Sequence, residues 1–107
     1  MKYQRRDNMK NKLIPNNFVL GGSTISVELV KNDLGTNVGQ IILPTGKIYV
    51  ATNFRGEDCN IDYMEASFYH ELVHGILDIL GKHDLSSNEE FVEAFSNLLH
   101  QFEKTKK

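Results

Sequence analysis

Residues 62–81 read DYMEASFYHELVHGILDILG. Phe68, Leu72, Ile76 and Ile79 recur at helical spacing, and Val73, Leu77 and Leu80 widen the apolar surface. The stretch predicts a long helix buried on most sides. Asp62 with Glu65 offers a capping box at its start, and Gly81 a stop. His70, Glu71, His74 and Asp78 interrupt the apolar surface, and polar groups in such a place need partners. A metal ion supplies them. His70 and His74 are four residues apart, close to one turn, so their imidazoles project from one face and can hold one ion. Glu71, beside the first histidine, is placed to act on a water at that ion. The H-E-x-x-H arrangement is that of zinc hydrolases, most often peptidases.

Upstream the pattern changes to strands. Residues 1–16 are polar, rich in Asn and Lys, and closed by Pro15, which predicts a flexible basic segment ahead of a single domain over 17–107. Phe18-Val19-Leu20 begins a strand that Gly21-Gly22 turns or bulges, and Thr24 to Leu29 alternates polar and apolar. Lys31 to Asn37 carries loop chemistry. Gln40 to Leu43 and Lys47 to Ala51 flank Pro44-Thr45-Gly46 as a hairpin, and Asn53 to Asn60 reads as a polar loop. Downstream, Ser86 and Ser87 each precede a glutamate by three residues and can cap a second helix. Phe91, Phe95, Leu98 and Phe102 form its expected core stripe, with Val92 and Leu99 beside it. The fold class expected is α+β, a small, mainly antiparallel sheet packed on the motif helix and the helix that follows.

Catalytic zinc usually takes three protein ligands. His83, Glu89, Glu90 and Glu93 are candidates for the third, while Asp78 points further along its own helix. Acids in a first helical turn also suit the helix dipole, which is reason enough for Glu89 and Glu90. The spacing H-E-x-x-H-x-x-G-x-x-H fails, because Leu77 and Leu80 stand where Gly and His are required.

Eighteen residues separate His74 from Glu93. In this interval and in its motif the chain resembles the gluzincins, whose aminopeptidase branch takes a glutamate at that distance as third ligand. It also looks like the short ImmA/IrrE-type and phage-encoded zinc peptidases, in which a strand hairpin precedes the H-E-x-x-H helix and a Glu-Ala helix follows, here Glu93-Ala94. The likeness spans roughly residues 38–100 by order of elements. It departs at Phe95, where the ImmA/IrrE-type pattern has Asn. The resemblance implies a zincin-like fold and one zinc per chain, held by His70, His74 and Glu93. It implies peptide hydrolysis with Glu71 as general base, and Asn97 as a hydrogen-bonding partner of a ligand histidine. By the same analogy the strand Lys47–Ala51 borders the cleft and pairs with an extended peptide. Tyr49, Tyr63, Tyr69 and His83 are candidate partners of the oxyanion or leaving group.

The bulk numbers agree. With 107 residues the chain is long enough for one small domain, and 40% hydrophobic with 24% charged residues fits an ordinary globular protein. Cys59 is the single cysteine, so no internal disulfide forms and a reducing compartment fits. No apolar run approaches a membrane span and no signal peptide is evident, so the expected location is cytoplasmic. From Gly56 to Glu93 Lys82 is the only Lys or Arg among ten acids, a balance that favours a divalent cation near the motif. The basic ends read as solvated termini rather than a nucleic-acid surface, His100 as solvent-facing and Cys59 as a plain small residue. The expected partner is a peptide or protein substrate. Two other readings stand beside it. One is a phage or mobile-element regulatory protein of the same fold that holds zinc structurally and acts by capturing a partner. The other is a hydrolase of non-peptide amides.

Overall fold

The computed structural model describes residues 13–31 and 37–107. The first twelve residues of the expected flexible segment lie outside the described residues, as does most of the loop expected between Lys31 and Asn37. Packed structure extends upstream of the expected boundary at residue 17. Ile14 is buried in the core, and the Val27 N–H donates to the Asn16 carbonyl at 2.9 Å.

Among the described residues six strands precede three helices: β1 (Asn17–Leu20), β2 (Ser23–Val30), β3 (Gly39–Ile42), β4 (Lys47–Ala51), β5 (Asn53–Phe54), β6 (Glu57–Asp58), α1 (Ile61–Ile79), α2 (His83–Ser86) and α3 (Glu89–Thr105). β1 and β2 form a hairpin, turning at Gly21-Gly22, and β3 and β4 form the expected one. The second hairpin turns through a short 3-10 segment, Leu43–Thr45, closed by Gly46 at φ 67°. Only glycine suits that position, since a Cβ there would lie 2.8 Å from the Thr24 carbonyl oxygen. The sheet order is β1-β2-β4-β3, with β2 and β4 parallel and the other pairs antiparallel. The fold is thus α+β with a mainly antiparallel sheet.

β4 therefore runs inside the sheet with both edges paired, and cannot accept a further strand. The expectation that it borders a cleft gives way to β3, the edge strand. The stretch expected as a polar loop after Ala51 contains a second small sheet, β5 with β6, turned by Arg55 and Gly56 at positive φ.

Alternation along β2 and β4 buries Ile25, Val27, Leu29, Ile48 and Val50 on one face, where Met64, Phe68 and Tyr69 of α1 cover them. Phe18 meets Phe68 edge to face at 5.9 Å. α1 approaches the sheet closely at Gly75, where a Cβ would come within 2.6 Å of the Ile41 Cδ1 methyl. The H-E-x-x-H segment is thereby pressed against the β3 edge.

Both helix starts differ from expectation. Asn60, not Asp62, caps α1, its side chain accepting from the Tyr63 N–H at 2.8 Å. Asn88, not Ser86 or Ser87, caps α3 by accepting from the Phe91 N–H at 3.1 Å. Asp62, Glu65 and Ser86 are thus left for tertiary contacts. The expected core stripe of α3 is also overturned. Val92 and Ser96 are buried against α1, while Phe91, Phe95, Leu98 and Phe102 are exposed. The helix is rotated so that small Ser96 permits close approach to α1 and the glutamates of its first turns face His70. Among the described residues no helix is long and apolar enough to cross a membrane.

Candidate metal centre

α1 presents His70 and His74 one turn apart, their ring centroids 4.9 Å from each other. α2 and α3 fold back beside them after the turn at Gly81. His70 Nε2 lies 3.1 Å and His74 Nε2 3.4 Å from the same Glu89 oxygen, Oε1. The remaining ring nitrogens are held from outside. His70 Nδ1 is 2.9 Å from Glu93 Oε1, and His74 Nδ1 is 3.0 Å from the hydroxyl of buried Ser86.

With protons on both Nδ1 atoms, His70 donates to Glu93 and His74 to the Ser86 hydroxyl, and both Nε2 lone pairs point at a third anionic donor, Glu89. Three electron-rich atoms brought together need a cation or protons among them. The donor atoms of His70, His74 and Glu89 all lie within 4.8 Å of one another, so this group can hold a metal ion. Tetrahedral ligation at bonds of about 2.0–2.1 Å sets ligand atoms roughly 3.3 Å apart. The two histidine–Glu89 separations, 3.1 and 3.4 Å, match that edge length, so this donor set can hold one metal ion.

Glu93, expected as third ligand, instead sits on the far nitrogen of His70, with Asn97 Nδ2 at a long 3.5 Å from its other oxygen. Asn97 thus approaches Glu93 and not a histidine. Helical geometry accounts for the exchange. Glu89 and Glu93 are one turn apart on one face of α3, and the position one turn earlier reaches the paired Nε2 atoms. Glu90 is exposed on a different side of the helix. His83 is exposed and pairs with Asp78 at 3.5 Å, apart from the trio. Tyr49 alternates with buried Ile48 and Val50 and so faces away from α1. Tyr69 is a core residue that meets Phe68 edge to face at 5.3 Å and His100 at a tilt at 5.6 Å, with burial, aided by Glu103 and Glu65, pushing its pKa up to about 12.

Glu71 leans toward β3 and accepts a hydrogen bond from the Ile41 backbone N–H. Burial raises its pKa, opposed by the neighbouring His70 and His74 and by that hydrogen bond, and reinforced by Glu89. Gly39 lies directly against its carboxylate. Beside His70 a cavity of about 140 Å³ opens between Val38, Tyr63, Ala66, Ser67, Glu93 and Asn97. Neither Ser86 nor Gly39 was visible as a site residue in the sequence. A serine between helices and a glycine at a strand start look like turn and cap chemistry until the elements are packed.

A second polar cluster lies further along the same helix pair. Glu65, 1% exposed, meets His100 Nε2 at 2.9 Å and Lys104 Nζ at 2.8 Å, and Lys104 also reaches Asp62 at 2.7 Å. His100, expected at the surface, is therefore half-buried in an ionic cluster. Asp62, Glu65 and His100 are disposed as a metal group would be, but the Lys104 ammonium already bridges the two carboxylates.

Comparisons of the chain with protein-family models, with curated proteins and with solved structures find no match.

Proposed function

We propose that the chain is a zinc-dependent metallopeptidase that binds one zinc through His70 Nε2, His74 Nε2 and a carboxylate oxygen of Glu89. The observation that carries this reading is the convergence of both Nε2 atoms on Glu89 Oε1, at 3.1 and 3.4 Å, with both Nδ1 atoms engaged from behind. The third ligand is thus Glu89 rather than Glu93, which aligns His70 and makes it a stronger donor.

When bound, zinc supplies Lewis acidity toward the attacking water and the scissile carbonyl. Glu71 takes the proton of the water and delivers it to the leaving amine. Its burial favours this role, because a carboxylate of raised pKa is a better base. The Ile41 N–H and the close face of Gly39 hold the carboxylate in one position. β3 has no strand partner on its outer side among the described residues, so an extended peptide can lie along that edge, which it shares with Glu71 at the Ile41 N–H. The cavity beside His70 then receives one substrate side chain. Its small lining residues, Val38, Ala66 and Ser67, and the Glu93 carboxylate favour a short polar or cationic group.

The test is metal analysis coupled to hydrolysis of a peptide library. Purified protein should carry about one zinc per chain. His70→Ala, His74→Ala and Glu89→Gln should each lose it. Glu93→Gln should keep it with affinity reduced about 10–100-fold. Glu71→Gln should keep zinc and lose cleavage. Failure of the wild-type chain to bind stoichiometric zinc overturns the reading. Zinc bound with no peptide cleaved removes the peptidase assignment and leaves a metal-holding binding protein.

A further inference from the structure

Tyr63, which lines the cavity beside His70, also lines a second hollow of about 340 Å³. The other walls of that hollow include Phe54, Arg55, Glu57 and Asp58 of the β5–β6 hairpin. The backbone explains why the two adjoin. Val38 prolongs the edge of β3, its carbonyl accepting from the Ala51 N–H at 2.9 Å. The chain runs from Ala51 into β5, and the Cys59 N–H donates to the Thr52 carbonyl at 2.8 Å, which holds the hairpin at that end of the sheet. A path therefore leads from the candidate metal centre along β3, past Val38 and Tyr63, to the hairpin.

Its length suits a peptide. Tyr63 and His70 are seven residues apart on α1. That is about 10 Å along the helix axis. An extended chain covers the distance in roughly three residues.

The outer hollow has aromatic and acidic walls. The Arg55 guanidinium lies 5.0 Å over the Phe54 ring. Glu57 and Asp58 are exposed and make no ion pair among the described residues. With Glu93 in the inner cavity, three carboxylates border the path against one guanidinium. Rings beside carboxylates suit a side chain with an alkyl stem and a cationic head. An acidic side chain would meet Arg55, but also two like charges.

We propose that the hollow between Tyr63 and the β5–β6 hairpin is a substrate subsite for a lysine or arginine side chain about three residues from the scissile bond. Glu57 and Asp58 set this preference and touch neither the ion nor the reacting atoms. The distance to a scissile bond rests on the peptidase reading, whereas the binding of basic peptides does not.

Ala- and Gly-rich octapeptides carrying one Arg, one Glu or neither at each position test it. Arg about three residues from the cleaved bond should raise kcat/KM about fivefold over Ala, through KM, and Glu there should lower it. Glu57→Gln with Asp58→Asn should abolish the preference, and Glu57→Lys with Asp58→Lys should reverse it, at unchanged zinc content. Should no peptide be cleaved, the peptidase reading fails and binding alone decides the subsite. Isotopically labelled wild-type protein is then titrated with the same peptides and followed by amide chemical shifts, which also serves if the variants misfold. Residues 54–63 should respond at about fivefold lower concentration to Arg peptides than to Glu peptides. Equal response to Arg and Glu, a preference that survives Glu57→Gln with Asp58→Asn, or shifts that leave the hairpin untouched overturns the proposal.

Discussion

A Cβ on Gly39 would stand 3.1 Å from both Cγ and Oε2 of Glu71, so the edge strand and the motif helix meet at the carboxylate with no room for a side chain. The contact gives a glycine at the start of a strand a role in the site. In the proposed mechanism it separates holding the ion from acting on the water.

Gly39→Ala should therefore retain zinc while lowering kcat/KM about tenfold, because Glu71 must shift by a few tenths of an ångström. Gly39→Val should lower it further, toward the roughly 100-fold loss that a 1 Å misplacement brings. Zinc content and cleavage rate measured on the same preparations check this. Equal loss of both would place Gly39 in the fold rather than against the general base.

Ser86→Ala removes the acceptor of His74 Nδ1 without opening a large cavity. Zinc affinity should fall about 10–100-fold, as for other partners of ligand histidines. The melting temperature of the zinc-free protein should move little. A competition titration against a chromophoric chelator, paired with a thermal melt, reads both quantities.

Glu65 is a buried carboxylate with two cationic or potentially cationic partners, and its loss should be felt in stability. Glu65→Ala should cost about 3 kcal/mol, since it leaves a cavity between the two helices and takes the partner from His100. Lys104→Met should cost less, about 1 kcal/mol, because Lys104 is partly solvated and its pairing is screened. Urea denaturation of the two variants ranks them, and a larger effect for Lys104→Met would contradict the burial.

The same pairing has a pH signature. The hydrogen bond and charge of Lys104 hold Asp62 below its ordinary 3.8, and the hydrogen bonds to Asp62 and Glu65 hold Lys104 above its ordinary 10.5. A depressed acid contributes stability present above its unfolded pKa and lost as pH falls through the folded value. A raised base contributes stability present below its unfolded pKa and lost as pH rises through the folded value. The difference in melting temperature between wild type and Lys104→Met should thus be flat across neutral pH. It should shrink below pH 3.8 and again above pH 10.5. A difference that grows at either extreme would show that Lys104 acts otherwise.

Much of the local structure was legible in the residues. The period-2 run of β2, the turn at Pro44-Thr45-Gly46 and the long motif helix follow from side-chain alternation and turn chemistry, which act between near neighbours. The caps were misread because several residues in reach of each helix start could have served. Asn60 and Asn88 took the role, which freed Glu65 and Ser86 for partners 35 and 12 residues away. The stripe of α3 was misread because apolar spacing states that a face will be covered, but not by what.

That His70, Glu71 and His74 share about one turn of helix was determined by sequence alone, since helical geometry places them so whatever surrounds it. Which carboxylate joins them was not. Glu89 and Glu93 share a helix face, and only the docking angle of α3 on α1 decides that one meets the paired Nε2 atoms and the other the back of His70. That angle is fixed by close contacts such as Ser96 and Val92 against α1, and packing of that kind depends on shape across the whole interface. The sheet order is of the same kind. The strands announce themselves by alternation, but their placement with β3 at the edge beside Glu71 follows from long-range pairing that no local pattern encodes.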